Sequence, residues 1–315
     1  MNPPPAFVMG AGLGTRLRPL TDDRPKPLVP VFGRPLITLA FDHLRSAGVE
    51  RFVVNTHHRA AAYREFLGGD GSHTVYRGCP VNFRHEPVLL DTGGGLSNIR
   101  DLTGSGDLVI YNGDVLADFP LEPLIDQHRV ERNLATLAVR SVGGPLHIQC
   151  ADRRVVDIRG ALGSTGAESF LFTGVSIVSR EFLERLPGPA VFSIISIYLD
   201  LLREGGRIGA HHADTGLWLD LGTPEAILDA HRELATRGLA FAGADWPQLP
   251  ETGQAGPGEI RGVCGIGEGV EIALGGVVED SILWERARVA PGVRLKRCIV
   301  RAGVEVLESG ENRIF

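Results

Sequence analysis

Apolar positions along the first half of the chain follow two alternating rhythms. Residues 7–9, Phe7-Val8-Met9, form a short apolar run with strand character. Ile37, Ala40, Phe41 and Leu44 then recur at helical spacing, which predicts a helix over 35–47 stopped by Gly48. Phe52-Val53-Val54 reads as a buried strand, and 59–67 as a second helix closed by Gly68-Gly69. Short strands follow at 81–83 and 108–111, the latter ending at Asn112-Gly113-Asp114. Further on, 134–142, 155–158 and 170–178 have β character, and 194–204 is an amphipathic helix. Strands alternating with helices predict an α/β fold with a mainly parallel sheet and helices on both faces. Ligands of such sheets sit at the carboxyl ends of the strands. The Gly-rich loop after Met9 and the Asp after the 108–111 strand both fall at such ends.

The rhythm changes near the carboxyl end. Residues 238–259 contain Pro247, Pro250, Pro257 and several glycines, a linker composition. Beyond it apolar residues recur about every six positions with glycines between: Val270, Ile272, Val277-Val278, Ile282, Val289, Val293, Ile299 and Val304. That is the period of hexapeptide β-helix repeats. A set of short antiparallel strands would give a similar pattern. The predicted organisation is a domain over 1–237, a linker over 238–259 and a repeat module over 260–315.

Composition narrows the class. The chain has 315 residues, 43% of them hydrophobic, and a formal net charge of −6. That is ample for a packed core and gives no basic footprint for nucleic acid. No apolar run reaches the ~18 residues of a membrane helix, and the amino terminus lacks the basic and apolar regions of a secretory signal. Cys79, Cys150, Cys264 and Cys298 are widely spaced, which predicts free thiols and a cytoplasmic location. His57-His58 and His211-His212 are adjacent pairs whose side chains point apart on a strand, so neither predicts a chelate.

Three stretches carry candidate chemistry. Gly10-Ala11-Gly12-Leu13-Gly14-Thr15-Arg16 follows a strand. Its glycines allow close backbone approach, and its N–H groups can form an anion nest. Pro25-Lys26-Pro27 then fixes a lysine between two prolines. In His85-Glu86-Pro87-Val88-Leu89-Leu90-Asp91-Thr92-Gly93-Gly94-Gly95, the glycines again allow close approach, and Thr92 could equally be a helix cap. Asn112-Gly113-Asp114 places a carboxylate suited to Mg²⁺ at a strand end, although an isolated N-G-D is commonly a turn. Near the linker, Trp218-Leu219-Asp220-Leu221-Gly222-Thr223-Pro224-Glu225 predicts a helix capped by Thr223 with Pro224 at its first position.

Taken together, Gly12-Leu13-Gly14-Thr15-Arg16-Leu17-Arg18-Pro19-Leu20-Thr21, Pro25-Lys26-Pro27-Leu28-Val29-Pro30 and Gly33-Arg34-Pro35-Leu36 resemble the signature of the sugar-1-phosphate nucleotidyltransferases. The resemblance implies a Rossmann-like nucleotidyltransferase domain with a mainly parallel mixed sheet, here followed by a short left-handed β-helix. It implies catalytic roles for Arg16 and Lys26. It implies nucleotide contacts at Ala11, Gly12, Gly14, Thr15, Glu86, Pro87, Thr92, Gly94 and Asn112. Gly174, within Thr173-Gly174-Val175, and Glu168 would meet the sugar, and Asp114 and Asp220 would hold Mg²⁺. The partners implied are an NTP, UTP or GTP, and a sugar 1-phosphate. The D-T-G-G-G style of Asp91–Gly95 is closest to N-acetylmuramate-1-phosphate uridylyltransferases, with mannose- or heptose-1-phosphate guanylyltransferase as the alternative. The Glu-Lys-Pro of many members is absent, since the only lysines are Lys26 and Lys296. Arg153, Arg154 and Arg159 are the candidates left to neutralise the sugar phosphate. A non-catalytic nucleotide-sugar-binding subunit would be a reading of another class, but the joint presence of Arg16, Lys26, Asp114 and Asp220 argues against it. The repeat module, too short for an acyltransferase site, is expected to pack or to mediate a homo-oligomer.

Overall fold

Ten strands form the main sheet of the computed structural model, which describes residues 3–70, 72–164, 167–238 and 255–315. They are β1 (Ala6–Met9), β2 (Phe52–Thr56), β3 (His73–Tyr76), β4 (Cys79–His85), β5 (Leu108–Asn112), β6 (Ala135–Arg140), β7 (Ile148–Ala151), β8 (Arg154–Ile158), β9 (Glu168–Val178) and β10 (Ile208–His212). Their order is β7-β8-β10-β6-β9-β5-β1-β2-β4-β3. The block β5-β1-β2-β4 is parallel, with Val8 between Tyr111 and Val54. These strands are continuous apolar runs because they are covered on both faces: Phe7, Val53 and Leu108 are fully buried. The sheet is more mixed than the alternation of elements predicts. β9 runs antiparallel to both β5 and β6, and the hairpin β7-β8 is antiparallel to its neighbours.

Seven helices are described: α1 (Leu36–Ser46), α2 (Ala60–Leu67), α3 (Asp91–Asn98), α4 (Glu122–Glu131), α5 (Arg180–Arg185), α6 (Ile194–Arg203) and α7 (Pro224–Thr236). The expected helices at 35–47, 59–67 and 194–204 are α1, α2 and α6, each within a residue of its predicted ends. None is long and apolar enough to cross a membrane.

The chain divides into two compact units that do not follow chain order. One runs to Leu13 and resumes over Ala40–Leu219. It holds the ten-stranded sheet, with a core joining Phe7, Leu96, Ile110, Leu137, Phe182 and Tyr198. The other consists of Gly14–Leu39 and Asp220–Phe315. A cut after residue 237 follows the sequence, whereas these units are discontinuous. The predicted linker falls largely on residues 239–254, which lie outside the described residues. Residues 255–258 form a turn that leads into the second unit's first strand, which starts at Glu259, and Ile272 donates its N–H to the Ala255 carbonyl at 2.6 Å.

That second unit carries three small parallel sheets. One stacks Glu259–Arg261, Val277–Glu279, Arg294–Lys296 and Gly310–Glu311; a second stacks Gly265–Ile266, Ile282–Leu283 and Ile299–Val300; a third stacks Glu271–Ile272, Arg288–Val289 and Glu305–Val306. Ile282 sits beside Ile299, one turn of 17 residues later, and Arg288 beside Glu305 by the same step. Every pairing is parallel, so the antiparallel alternative fails. Ile272, Val289 and Val306 form one apolar column, and Val278 and Leu295 another, inside the turns.

Candidate active site

Within the sheet unit, a cavity of about 370 Å³ opens beyond the ends of β1 and β2. Ala11, Gly12, Glu86 and Thr92, four of the residues singled out in the sequence, line it together with Asn55 and Asp91. Asn55 organises its floor. The Asn55 Oδ1 accepts the N–H groups of Gly10 at 2.8 Å and Ala11 at 3.2 Å, and its Nδ2 donates to Glu86 Oε1 at 2.7 Å. Glu86 is fully buried, and its second oxygen accepts the Leu90 N–H at 3.1 Å. A buried carboxylate is tolerable only with such donors. His57 donates from its Nδ1 to the Glu86 carbonyl at 2.7 Å, and the Tyr63 hydroxyl donates to the Gly10 carbonyl at 2.8 Å. Glu86 thus shapes the pocket and holds the glycine loop, with both oxygens already engaged.

The glycines divide by what a side chain would meet. At Gly10 a Cβ would fall 2.6 Å from the Asn55 carbonyl and 2.7 Å from the Tyr63 hydroxyl. At Gly12 it would meet no protein atom within 4 Å, although Gly12 lines the cavity. That space is open, so packing within the fold does not require glycine at this position. Gly14 has φ +59° and packs on Thr21, whose hydroxyl donates to its carbonyl at 2.8 Å, so its glycine is explained by the turn. Gly93, Gly94 and Gly95 lie inside α3 rather than ahead of it. Gly93 and Gly94 donate to the Phe192 carbonyl, and Gly94 closes on the Ala190 carbonyl. A Cβ at Gly95 would stand 2.9 Å from both Asn55 Nδ2 and Glu86 Oε1. Thr92 does not cap α3; its hydroxyl accepts the Ile194 N–H at 3.0 Å, at the start of α6. Pro87 is exposed beside Glu86.

Asn112 and Gly174 meet at the end of β5. Gly174 has φ +81° in the irregular stretch of β9, and a Cβ there would lie 2.7 Å from Asn112 Nδ2. The Trp218 indole donates to the Thr173 carbonyl at 2.8 Å and steadies that bulge. Asp114 is half-buried two residues past β5. Glu168 is exposed at the start of β9, opposite Cys150. Arg154 pairs with Gly209 in the row of Thr136, Ile177 and Val109, level with the first residues of β5 rather than with its carboxyl end. Arg153 reaches Glu131 at 4.0 Å. The structure therefore does not bring Arg153 and Arg154 to the end of β5 where Asn112 lies, and Arg159, at φ +59° after β8, is a turn residue.

In the second unit Arg16, Lys26 and Asp220 converge. Thr15 and Arg16 are exposed in the 3₁₀ turn Thr15–Leu17. A Cβ on Gly222 would stand 3.1 Å from both terminal nitrogens of Arg16 and 3.1 Å from Asp220 Oδ1. Lys26 Nζ lies 3.8 Å from Asp220 Oδ1; the lysine side chain is 12% exposed and the aspartate 47%. Thr223 caps α7 as predicted, its hydroxyl accepting the Ala226 N–H at 3.2 Å. Asn55, central to the pocket, carries no signal in the sequence because it sits inside an apolar strand run, and nothing in the run of three glycines sets Gly95 apart as the one that packs on the Asn55–Glu86 pair.

The strand-end cavity floored by a glycine loop in the sheet unit, and the two cations beside the Asp220 carboxylate in the second unit, are each suited to phosphate groups. A family model described as nucleotidyl transferase matches residues 5–145. A mannose-1-phosphate guanylyltransferase of Mycobacterium tuberculosis is 31% identical over 304 residues, 93% of this chain and 83% of that protein. An N-acetylmuramate alpha-1-phosphate uridylyltransferase of Neisseria meningitidis is 31% identical over 220 residues, 69% of this chain and 93% of that protein. A solved structure from Bacillus anthracis, described as a glucose-1-phosphate thymidylyltransferase with sucrose, superposes with a TM-score of 0.60 at 19% identity, over 72% of this chain and 93% of that one. The chain belongs to the sugar-1-phosphate nucleotidyltransferase family.

Proposed function

We propose that the chain joins GTP to a hexose 1-phosphate, with mannose 1-phosphate the first candidate, giving a nucleotide sugar and pyrophosphate. The observation that carries the choice is likeness along nearly the whole chain. The tuberculosis guanylyltransferase is 31% identical over 93% of this chain, whereas a Synechocystis UTP–glucose-1-phosphate uridylyltransferase that spans 96% of it is only 23% identical, and the meningococcal uridylyltransferase aligns over 69%. The Asp91–Gly95 segment favours the second reading, UTP with N-acetylmuramate 1-phosphate. Heptose 1-phosphate stays within the guanylyl reading. We assign the three parallel sheets to a left-handed β-helix. The four free, buried cysteines suit a reducing cytoplasm.

In this reading an oxygen of the sugar phosphate attacks the α-phosphorus of the NTP. The new P–O bond forms as the bond from that phosphorus to the α,β-bridging oxygen breaks, and pyrophosphate leaves with the electron pair. The attacking phosphate is already an anion, so no general base is needed. Chemistry of this type is done by positioning and charge neutralisation. The loop at Ala11 and Gly12, held by Asn55 at the Gly10 and Ala11 N–H groups, receives the nucleotide; Arg16 and Lys26 take the charge of the leaving pyrophosphate; Asn112 and Gly174 border the sugar. Asp114 and Asp220 offer hard carboxylate oxygens, the donors Mg²⁺ takes alongside phosphate oxygens. Among the described residues no group of three or more His, Cys, Asp or Glu could hold a metal ion. When bound, Mg²⁺ supplies neutralisation and orientation of the reacting phosphates. Lys26→Ala and Asp114→Ala are each expected to lower kcat by about 10²-fold or more with the fold intact. A fully active Asp114→Ala enzyme would remove the metal assignment.

A further inference from the structure

The Lys26 loop is held from the carboxyl end of the chain. Arg24, two residues before Lys26, is 5% exposed, and its guanidinium carbon lies 4.4 Å from the centre of the Trp284 ring. Its Nη2 donates to Glu285 Oε1 at 2.5 Å. Next to it, Asp23 accepts from Arg301 Nη1 at 3.1 Å. Trp284 is 2% exposed and follows the central strand of the second parallel sheet, where its N–H donates to the Val300 carbonyl at 2.9 Å. The grip is therefore anchored in stacked turns rather than in a loose loop. Between Arg24 and Lys26 there is only Pro25, extended at φ −60° and ψ 149°, and Lys26 starts a 3₁₀ turn. Pro25 locks its own φ, and Pro25 and Pro27 restrict the residues before them, Arg24 and Lys26, so the segment has little freedom to absorb a shift of Arg24. Farther on, the Phe32 N–H donates to His231 Nε2 at 3.0 Å and pins the hairpin that follows.

We propose that Arg24, Trp284, Glu285 and Arg301 form a clamp that positions Lys26 for catalysis, so that the carboxyl-terminal strand stack is part of the catalytic machinery. The proposal rests on the reading of Lys26 as a ligand of the transferring phosphates. Arg24 sits out of solvent, where a guanidinium is stable only with a carboxylate and an aromatic face. Loosening either partner lets Lys26 move. A shift of about 1 Å at a group that stabilises the transition state can cost as much as ~10²-fold in rate while substrate binding changes little.

The test is a double-mutant cycle on pyrophosphate release by the full-length chain at saturating NTP and sugar 1-phosphate. Glu285→Gln keeps the shape of a side chain that is 30% exposed. It should lower kcat about tenfold with the NTP KM within about twofold, and it should lower Tm as the buried Arg24 guanidinium loses its carboxylate, so rates are compared well below the Tm of each variant. Asp23→Asn, at a surface pair, should give a smaller fall in kcat and serves if Glu285→Gln proves unstable. In a Lys26→Ala background neither change should lower the residual kcat further, because coupled groups are non-additive. Additive losses would mean a general structural effect and overturn the clamp. Unchanged kcat in both single variants, with Lys26→Ala impaired, would overturn the clamp alone. A fully active Lys26→Ala would overturn the Lys26 reading, and the clamp with it.

Discussion

Gly12 and Gly95 look alike in the sequence and do opposite work. A Cβ on Gly12 enters open space at the cavity, and one on Gly95 enters the Asn55–Glu86 pair. Gly12→Ala should leave Tm within about a degree and raise the NTP KM roughly tenfold, the cost of a methyl group in a ligand contact. Gly95→Ala should instead cost about 1–3 kcal/mol of stability, because the buried Glu86 carboxylate loses its donor. Thermal melts and initial rates on the two variants check both; a destabilised Gly12→Ala would show that its space belongs to the fold. The signature marked where backbone comes close to something, but not to what. Gly14 closes on Thr21, Gly94 on Ala190 and Gly174 on Asn112, partners that only the folded chain reveals. Asn55 was hidden for a related reason. Its burial looks like any strand residue until the loop it holds, 44 and 45 residues away in sequence, is folded back onto it.

At the scale of elements, periodicity located the long apolar helices and missed elements whose stability is tertiary. α4 is largely polar, and only Leu124, Ile125, Gln127 and His128 are buried. α3 holds three glycines, each costing about 1 kcal/mol of helix propensity, which packing against residues 190–192 offsets. The antiparallel half of the sheet was also illegible, because β6 and β9 read locally like any strand; direction is set by the connections. Where a local rule suffices, the reading held: Thr223-Pro224-Glu225 starts α7. Thr223→Ala should cost about 1 kcal/mol in denaturant unfolding through the lost cap. No measurable loss would mean that packing alone holds the end of α7.

At the scale of the molecule, the sequence suggested a catalytic domain followed by an appended module. Most of the signature, from Gly14 to Leu36, instead belongs to the same compact unit as the carboxyl-terminal strands. The contacts responsible, such as Arg24 with Glu285 across 261 positions and Phe32 with His231 across 199, have no local signature. Buried histidines also give the fold an acid limit. Burial pushes His43 and His231 down to about 4, and each ring is locked neutral between one donor and one acceptor. The unfolded chain takes up protons near pH 6.5 and the folded chain does not, so this stability is whole above pH 6.5 and is lost as pH falls toward 4. Each site contributes up to roughly 3 kcal/mol across that window. Denaturant unfolding at pH 7.5, 5.5 and 4.5 should show a steady fall; a flat profile would contradict the buried neutral rings.

The most direct test of the account is pyrophosphate release with Mg²⁺ across GTP, UTP, ATP, CTP and dTTP, each against mannose, glucose, heptose and N-acetylmuramate 1-phosphates. Turnover should be highest for GTP with mannose 1-phosphate. Turnover confined to UTP with N-acetylmuramate 1-phosphate would keep the chemistry and reverse the base assignment. Folded protein releasing no pyrophosphate in any pairing, yet binding a nucleotide sugar, would contradict the catalytic reading and leave a nucleotide-sugar-binding subunit.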